Sequence, residues 1–148
     1  MSFVSMQAAD ALVELLNNHF SATFTAVRLD DPTFDAQDVE TVTVAVVARE
    51  EEEETATRTT VSVAITVDVA ILQHVTVAEG STIEAACEPL KNLVQSMREY
   101  VRFKNLGSVG ANGASWMKTA NKPLLDPVQL REKRIFFSLL SITYELLG

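Results

Sequence analysis

From Val61 to Ile71 every second residue is a branched aliphatic: Val61, Val63, Ile65, Val67, Val69 and Ile71, with Ser62, Ala64, Thr66, Asp68 and Ala70 between them. Side chains alternate across a strand and repeat every 3.6 residues on a helix, so a period of two demands a sheet with one apolar face. Glu40–Ala48 carries the same signature, Val42, Val44 and Val46 alternating with Thr41, Thr43 and Ala45, and predicts a second strand. In the closing segment Phe136, Leu140, Ile142, Tyr144 and Leu146 share one parity, while Ser141, Thr143 and Glu145 take the other. Both parities are apolar between Ile135 and Leu140, which predicts a strand inside the sheet.

Two segments have helical spacing instead. Ala8, Ala9, Leu12, Val13, Leu15, Leu16, His19 and Phe20 form an apolar stripe opposite Gln7, Asp10, Glu14, Asn17 and Asn18, with Ser2 or Ser5 as cap. Ser81 and Glu84 match a capping box ahead of Ile83, Ala86, Leu90, Val94, Met97 and Val101. Pro89 falls inside this second helix, and the expected outcome is a continuous but disturbed helix that frays near Asn105–Gly107. Phe20–Leu29 reads as a further strand, and a short strand is expected after Trp116. The order is an α+β domain, a two-layer and mostly antiparallel sheet with two helices on one face. At 148 residues the chain is long enough for one such domain, residues 1–148, and one core.

The net charge of −8 argues against nucleic acid as a bound partner, because phosphate binding needs a cationic face. Its distribution says more. Residues 1–88 balance at −13 and residues 89–148 at +5. Such asymmetry marks head-to-tail contacts between copies if folding keeps the two signs apart, and nothing if folding mixes them. No apolar run approaches the roughly 20 residues of a membrane span, and the first residues lack a basic, cleavable leader pattern, so a soluble intracellular protein is expected. Cys87, the only cysteine, has apolar neighbours and reads as a core residue.

Catalytic patterns are missing from the sequence. His19 and His74 have no metal-ligand spacing around them, and no G-x-S-x-G, H-E-x-x-H or C-x-x-C occurs. The glycine-rich Gly107–Trp116 segment has Ala114–Ser115 where a phosphate loop needs lysine, and is expected to be a flexible connection. The run Glu50, Glu51, Glu52, Glu53 and Glu54 has neither the spaced ligands nor the glycine of a calcium loop. It reads as the wet tip of a hairpin between the Val42–Val46 and Val61–Ile71 strands, its repulsion discouraging edge-to-edge aggregation.

The whole pattern resembles a known family. An amphipathic helix precedes "VRLDDPTFDAQDVETVTVAVV", then a hydrophilic interruption opens into "RTTVSVAITVDVAI", then come "LKNLVQSMREYV" and "LREKRIFFSLLSITYEL". The chain resembles the tail-terminator or tail-completion (neck) proteins of tailed bacteriophages, whose closing strand has a basic or polar residue, an aromatic pair and alternating Ser/Thr, as Arg134, Phe136, Phe137, Ser138, Ile142, Thr143 and Tyr144 do here. Pro89 and the Gly107–Gly113 loop fall outside that pattern.

The resemblance implies a structural virion protein without catalysis or cofactor, assembled in the host cytoplasm. It implies a homo-oligomeric ring, usually a hexamer, at the head-proximal end of the tail, capping the tail-tube protein and meeting a head-completion protein. DNA would pass through without specific binding, and no membrane is involved. Two interface expectations follow. Glu50–Glu54 faces the lumen or an axial partner, and Arg131, Lys133 and Arg134 pair with the Asp30–Glu40 loop (Asp35 and Asp38 included) of the adjacent subunit. The competing expectation is a small α+β ligand-binding or enzymatic module, with Trp116, Met117 and the glycine-rich loop as its lid; another neck-ring component is a third.

Overall fold

The computed structural model describes residues 3–30 and 40–147; Asp35 and Asp38 lie outside them. Among the described residues the elements run α1 (Val4–Phe20), β1 (Ala26–Arg28), β2 (Thr43–Thr55), β3 (Val61–His74), α2 (Ile83–Val101), β4 (Ser115–Asn121), α3 (Pro127–Lys133) and β5 (Ile135–Leu147). The strands form one sheet in the order β1-β2-β3-β5-β4, antiparallel except for the β1–β2 pair. The alternating Val61–Ile71 run is the middle strand, and β5 is interior, as its two apolar parities require.

One face of this sheet holds the core. Ile65, Val67, Val69 and Ile71 of β3 meet Val44 and Val46 of β2 and Phe136, Leu140, Ile142 and Tyr144 of β5. Ala8, Ala9, Leu12, Leu16 and Phe20 of α1, and Cys87, Leu90, Val94, Met97 and Val101 of α2, close over them. The apolar stripes of both helices are therefore spent on the same side, giving the α+β two-layer arrangement. Burial holds the Cys87 thiol above its ordinary pKa despite nearby Lys91, as suits a core residue.

Local details differ from the sequence expectations for identifiable reasons. The second residue of the predicted capping box, not its first, is the cap: Thr82 caps α2, its Oγ1 accepting from the Ala85 amide at 3.1 Å. Pro89 leaves the helix continuous because Pro89 and the Ala85 carbonyl it deprives of a donor both lie on exposed residues. Phe20–Leu29 yields only the three-residue β1, since Thr23 and Phe24 continue off α1 by bonding the Phe20 carbonyl. The Gly107–Gly113 loop is anchored rather than loose. Leu106 and Ala114 exchange backbone hydrogen bonds, and Leu106, Val109 and Ala114 are buried. Gly113 makes this possible: its φ is +78°, and a Cβ there would lie 3.1 Å from the Gly107 Cα.

Tyr144 is fully buried, and its hydroxyl has no hydrogen-bond partner among the described residues. Burial raises its phenol pKa. Tyr144→Phe removes an unsatisfied hydroxyl, so it should raise stability by about 1 kcal/mol in denaturant titration. Above about pH 10 the unfolded phenol ionises while the folded one does not, so native stability should fall as pH rises there. That alkaline loss should shrink in Tyr144→Phe.

Candidate assembly interface

Among the described residues no long helix packs on the second face of the sheet. Its lower part is a small apolar cluster, Ala70, Leu72 and Ile135 with Phe137 and Leu139. Above it lie half-buried Ala64, Asp68, Ser141 and Thr143. Polar groups on this face satisfy each other within the layer. Asp68 accepts from Ser141 Oγ at 2.7 Å and pairs with Arg49 Nε at 3.1 Å.

The acidic run does not sit at a hairpin tip. Glu50–Glu54 belongs to β2 itself, paired with Thr66, Ile65, Ala64, Val63 and Ser62 of β3, while the turn is Ala56–Thr60. Pairing outweighed charge because the long β3 template offers ladder partners to every one of these residues. A bulge at Arg49 resets the parity. Glu50, Glu52 and Glu54 consequently share the second face with Thr66, Ala64 and Ser62, and Glu50 Oε1 accepts from the Thr66 hydroxyl at 3.4 Å. Glu51 and Glu53 turn to the helix side. Pairing of β1 with β2 stops at Arg28–Val46, with the Leu29 amide on the Val46 carbonyl.

Glu51 has a distinct task. Its Oε1 accepts from the Ser5 amide at 2.7 Å, so a carboxylate from β2 caps α1, whose own N-cap residue Phe3 supplies no side-chain bond. The helix start expected to use Ser2 or Ser5 as cap thus borrows one across 46 positions of sequence. Glu51→Ala should lower stability by about 1 kcal/mol in chemical denaturation, whereas Glu53→Ala should change it far less. Beside this cap Phe3, Met6, Ala48, Arg49, Glu50 and Glu51 line a shallow cleft of about 310 Å³.

Strand order decides the fate of the charge asymmetry. β1, β2 and β3 occupy one side of the sheet and β5 and β4 the other, so the two halves of the chain are not interleaved. The acidic β2 stretch lies toward one edge. Lys118 on β4 and Arg102, next to the Phe103 that packs on Trp116, lie at the other. Arg131 and Lys133 end α3, a helix the strand reading had missed because "LREK" is too short to show a period. Arg134 caps it in the left-handed region at φ 55°, and its carbonyl takes the Val75 amide.

The predicted cross-subunit pairing of Arg131, Lys133 and Arg134 with residues 30–40 rests largely on positions outside the described residues. Of those described, Asp30 is 3.9 Å from Arg28 of its own chain, which also holds Asp10 at 2.9 Å. Glu40 accepts from Gln73 through its carbonyl.

Two clefts adjoin α2. One, about 450 Å³, is lined by Thr23, Glu40, Gln73, His74, Pro89 and Leu93 among others. The other, about 580 Å³, lies between Lys91, Val94 and Arg98 of α2 and Leu124, Leu125 and Phe136. Trp116, Met117 and the glycine-rich loop line neither, so the lid expected for a ligand-binding module is not in place over either cleft. Among the described residues no three His, Cys, Asp or Glu side chains gather as a metal site would require, and no helix is long and apolar enough to cross a membrane.

These features define a class: an α+β domain with one helix-covered sheet face, a second face that no described long helix covers, and edges of opposite charge. Neither protein-family models nor characterised protein sequences give a match to this chain.

Proposed function

We propose that this chain is a structural subunit of a phage tail, forming a head-to-tail ring at the head-proximal end that stops tube growth and meets the neck proteins. The observation that carries the reading is the separation of charge across the sheet, acidic β2 toward one edge and Lys118 with Arg102 at the other. Opposite charge on two edges of one molecule suits head-to-tail contact between copies, and such contacts close into a ring when the rotation permits. The closing strand supports it further: Phe136 enters the core while Phe137 lies on the uncovered face.

In this arrangement the uncovered face lines the channel, and Glu50, Glu52 and Glu54 give it negative charge that repels passing DNA. The test pairs light scattering with electron microscopy of the chain mixed with tube subunits. Rings, or copies sitting at one tube end with arrested growth, are expected. A chain that stays monomeric or dimeric and ignores tube ends would refute the reading. For the channel, the double variant Glu52→Gln, Glu54→Gln should assemble yet retain DNA, slowing ejection; unchanged ejection would remove the role of the acidic face.

A further inference from the structure

The two edges carry more than charge. Phe103 is 77% exposed, one of the most exposed large apolar side chains among the described residues, and it sits at φ +63° immediately after α2. A left-handed position at a helix C-terminus favours glycine, and a bulky residue there costs about 1–2 kcal/mol. The backbone conformation alone gives no reason for phenylalanine. Its ring is held edge-on against Trp116 at 5.0 Å, and Asn105 Oδ1 accepts from the Trp116 amide, so the segment is braced against β4. Beside it are Met117, 51% exposed at a bulge, and the exposed cations Arg102 and Lys118, while the Lys104 ammonium lies over the Tyr100 ring.

The opposite edge carries the counterpart. Phe3, also largely exposed, Met6 and Ala48 form the apolar part of the 310 Å³ cleft, and Glu50, Glu51 and Arg49 form its rim, the arginine being paired with Asp68. One patch is an aromatic knob flanked by cations; the other is an apolar hollow whose rim is net acidic. They also stand level. Trp116 pairs with Tyr144, Tyr144 with Ile65 and Ile65 with Glu51, placing both patches on one row across the sheet. Contacts at equal height repeat without axial climb, which favours a closed ring over a filament.

We infer that the Phe103–Met117 knob of one copy seats in the Phe3–Met6–Ala48 cleft of the next, with Arg102 and Lys118 facing Glu50 and Glu51. This deepens the ring reading and rests on it. Apolar anchors ringed by paired charges are the usual energetic centre of an interface.

Two variants of the full chain test it. Phe103→Gly suits the backbone, so its thermal stability should match or exceed that of the parent while self-association weakens at least tenfold in sedimentation. The double variant Ala48→Cys, Phe103→Cys cannot close a disulfide within one chain, since three strand spacings, about 14 Å, separate the edges. On oxidation it should give a ladder of linked copies ending in covalent rings, whereas each single variant should stop at dimers or below. If rings form yet no ladder appears, or Phe103→Gly assembles like the parent, this interface is wrong while the ring reading stands. A chain that never self-associates, with or without tubes, overturns both.

Discussion

Phe136→Ala is expected to lower unfolding free energy by about 3–5 kcal/mol, the range for emptying a fully enclosed aromatic site. Phe136 is 0% exposed, packed beneath α2 on the helix-covered face. Val94, which lines the same cleft, belongs to α2, a helix that carries Pro89 and is seated through its apolar stripe in this core. The denaturation midpoint should drop with little change in slope. Phe137→Ala is the control, because adjacent residues of a strand face opposite ways. Phe137 is only half-buried, on the uncovered face, and its loss should cost roughly 1 kcal/mol or less while affecting assembly more than folding. Equal costs for the two would contradict the two-faced sheet.

Asn17→Ala is expected to cost about 2–3 kcal/mol. The Asn17 amide group stands in for a strand: its Oδ1 accepts from the Ala26 amide at 2.6 Å and its Nδ2 donates to the Ala26 carbonyl at 3.1 Å. Ala26 is 2% exposed, so both backbone groups would be left buried without partners. β1 has only three residues and pairs only with β2, so losing this clamp should free it from the sheet. Amide exchange at Ala26–Arg28 should accelerate well beyond the change at β3. If protection there fell only in step with global stability, the clamp would have no local role.

What the sequence by itself determined is the two-layer core. Period-two aliphatics in β2, β3 and β5 and 3.6-residue stripes in α1 and α2 appear in the structure with the predicted residues inward, because parity and helical spacing are local properties of the chain. Cys87 was legible for the same reason: its apolar neighbours foretold burial.

Tertiary structure decided the rest. Glu50–Glu54 looked like a turn because clustered charge disfavours strands locally, and only the pairing with β3 drew it into the sheet and divided it between two faces. Glu51 as the cap of α1, Asn17 as the clamp of β1, and Phe103 brought level with the Phe3 cleft all join residues far apart in sequence. No spacing rule reaches across a strand order. The charge asymmetry was visible as a count, but whether it would be mixed or separated depended on β4 and β5 both adding beyond β3, which places the strands of the chain's acidic and basic halves toward opposite edges of one sheet.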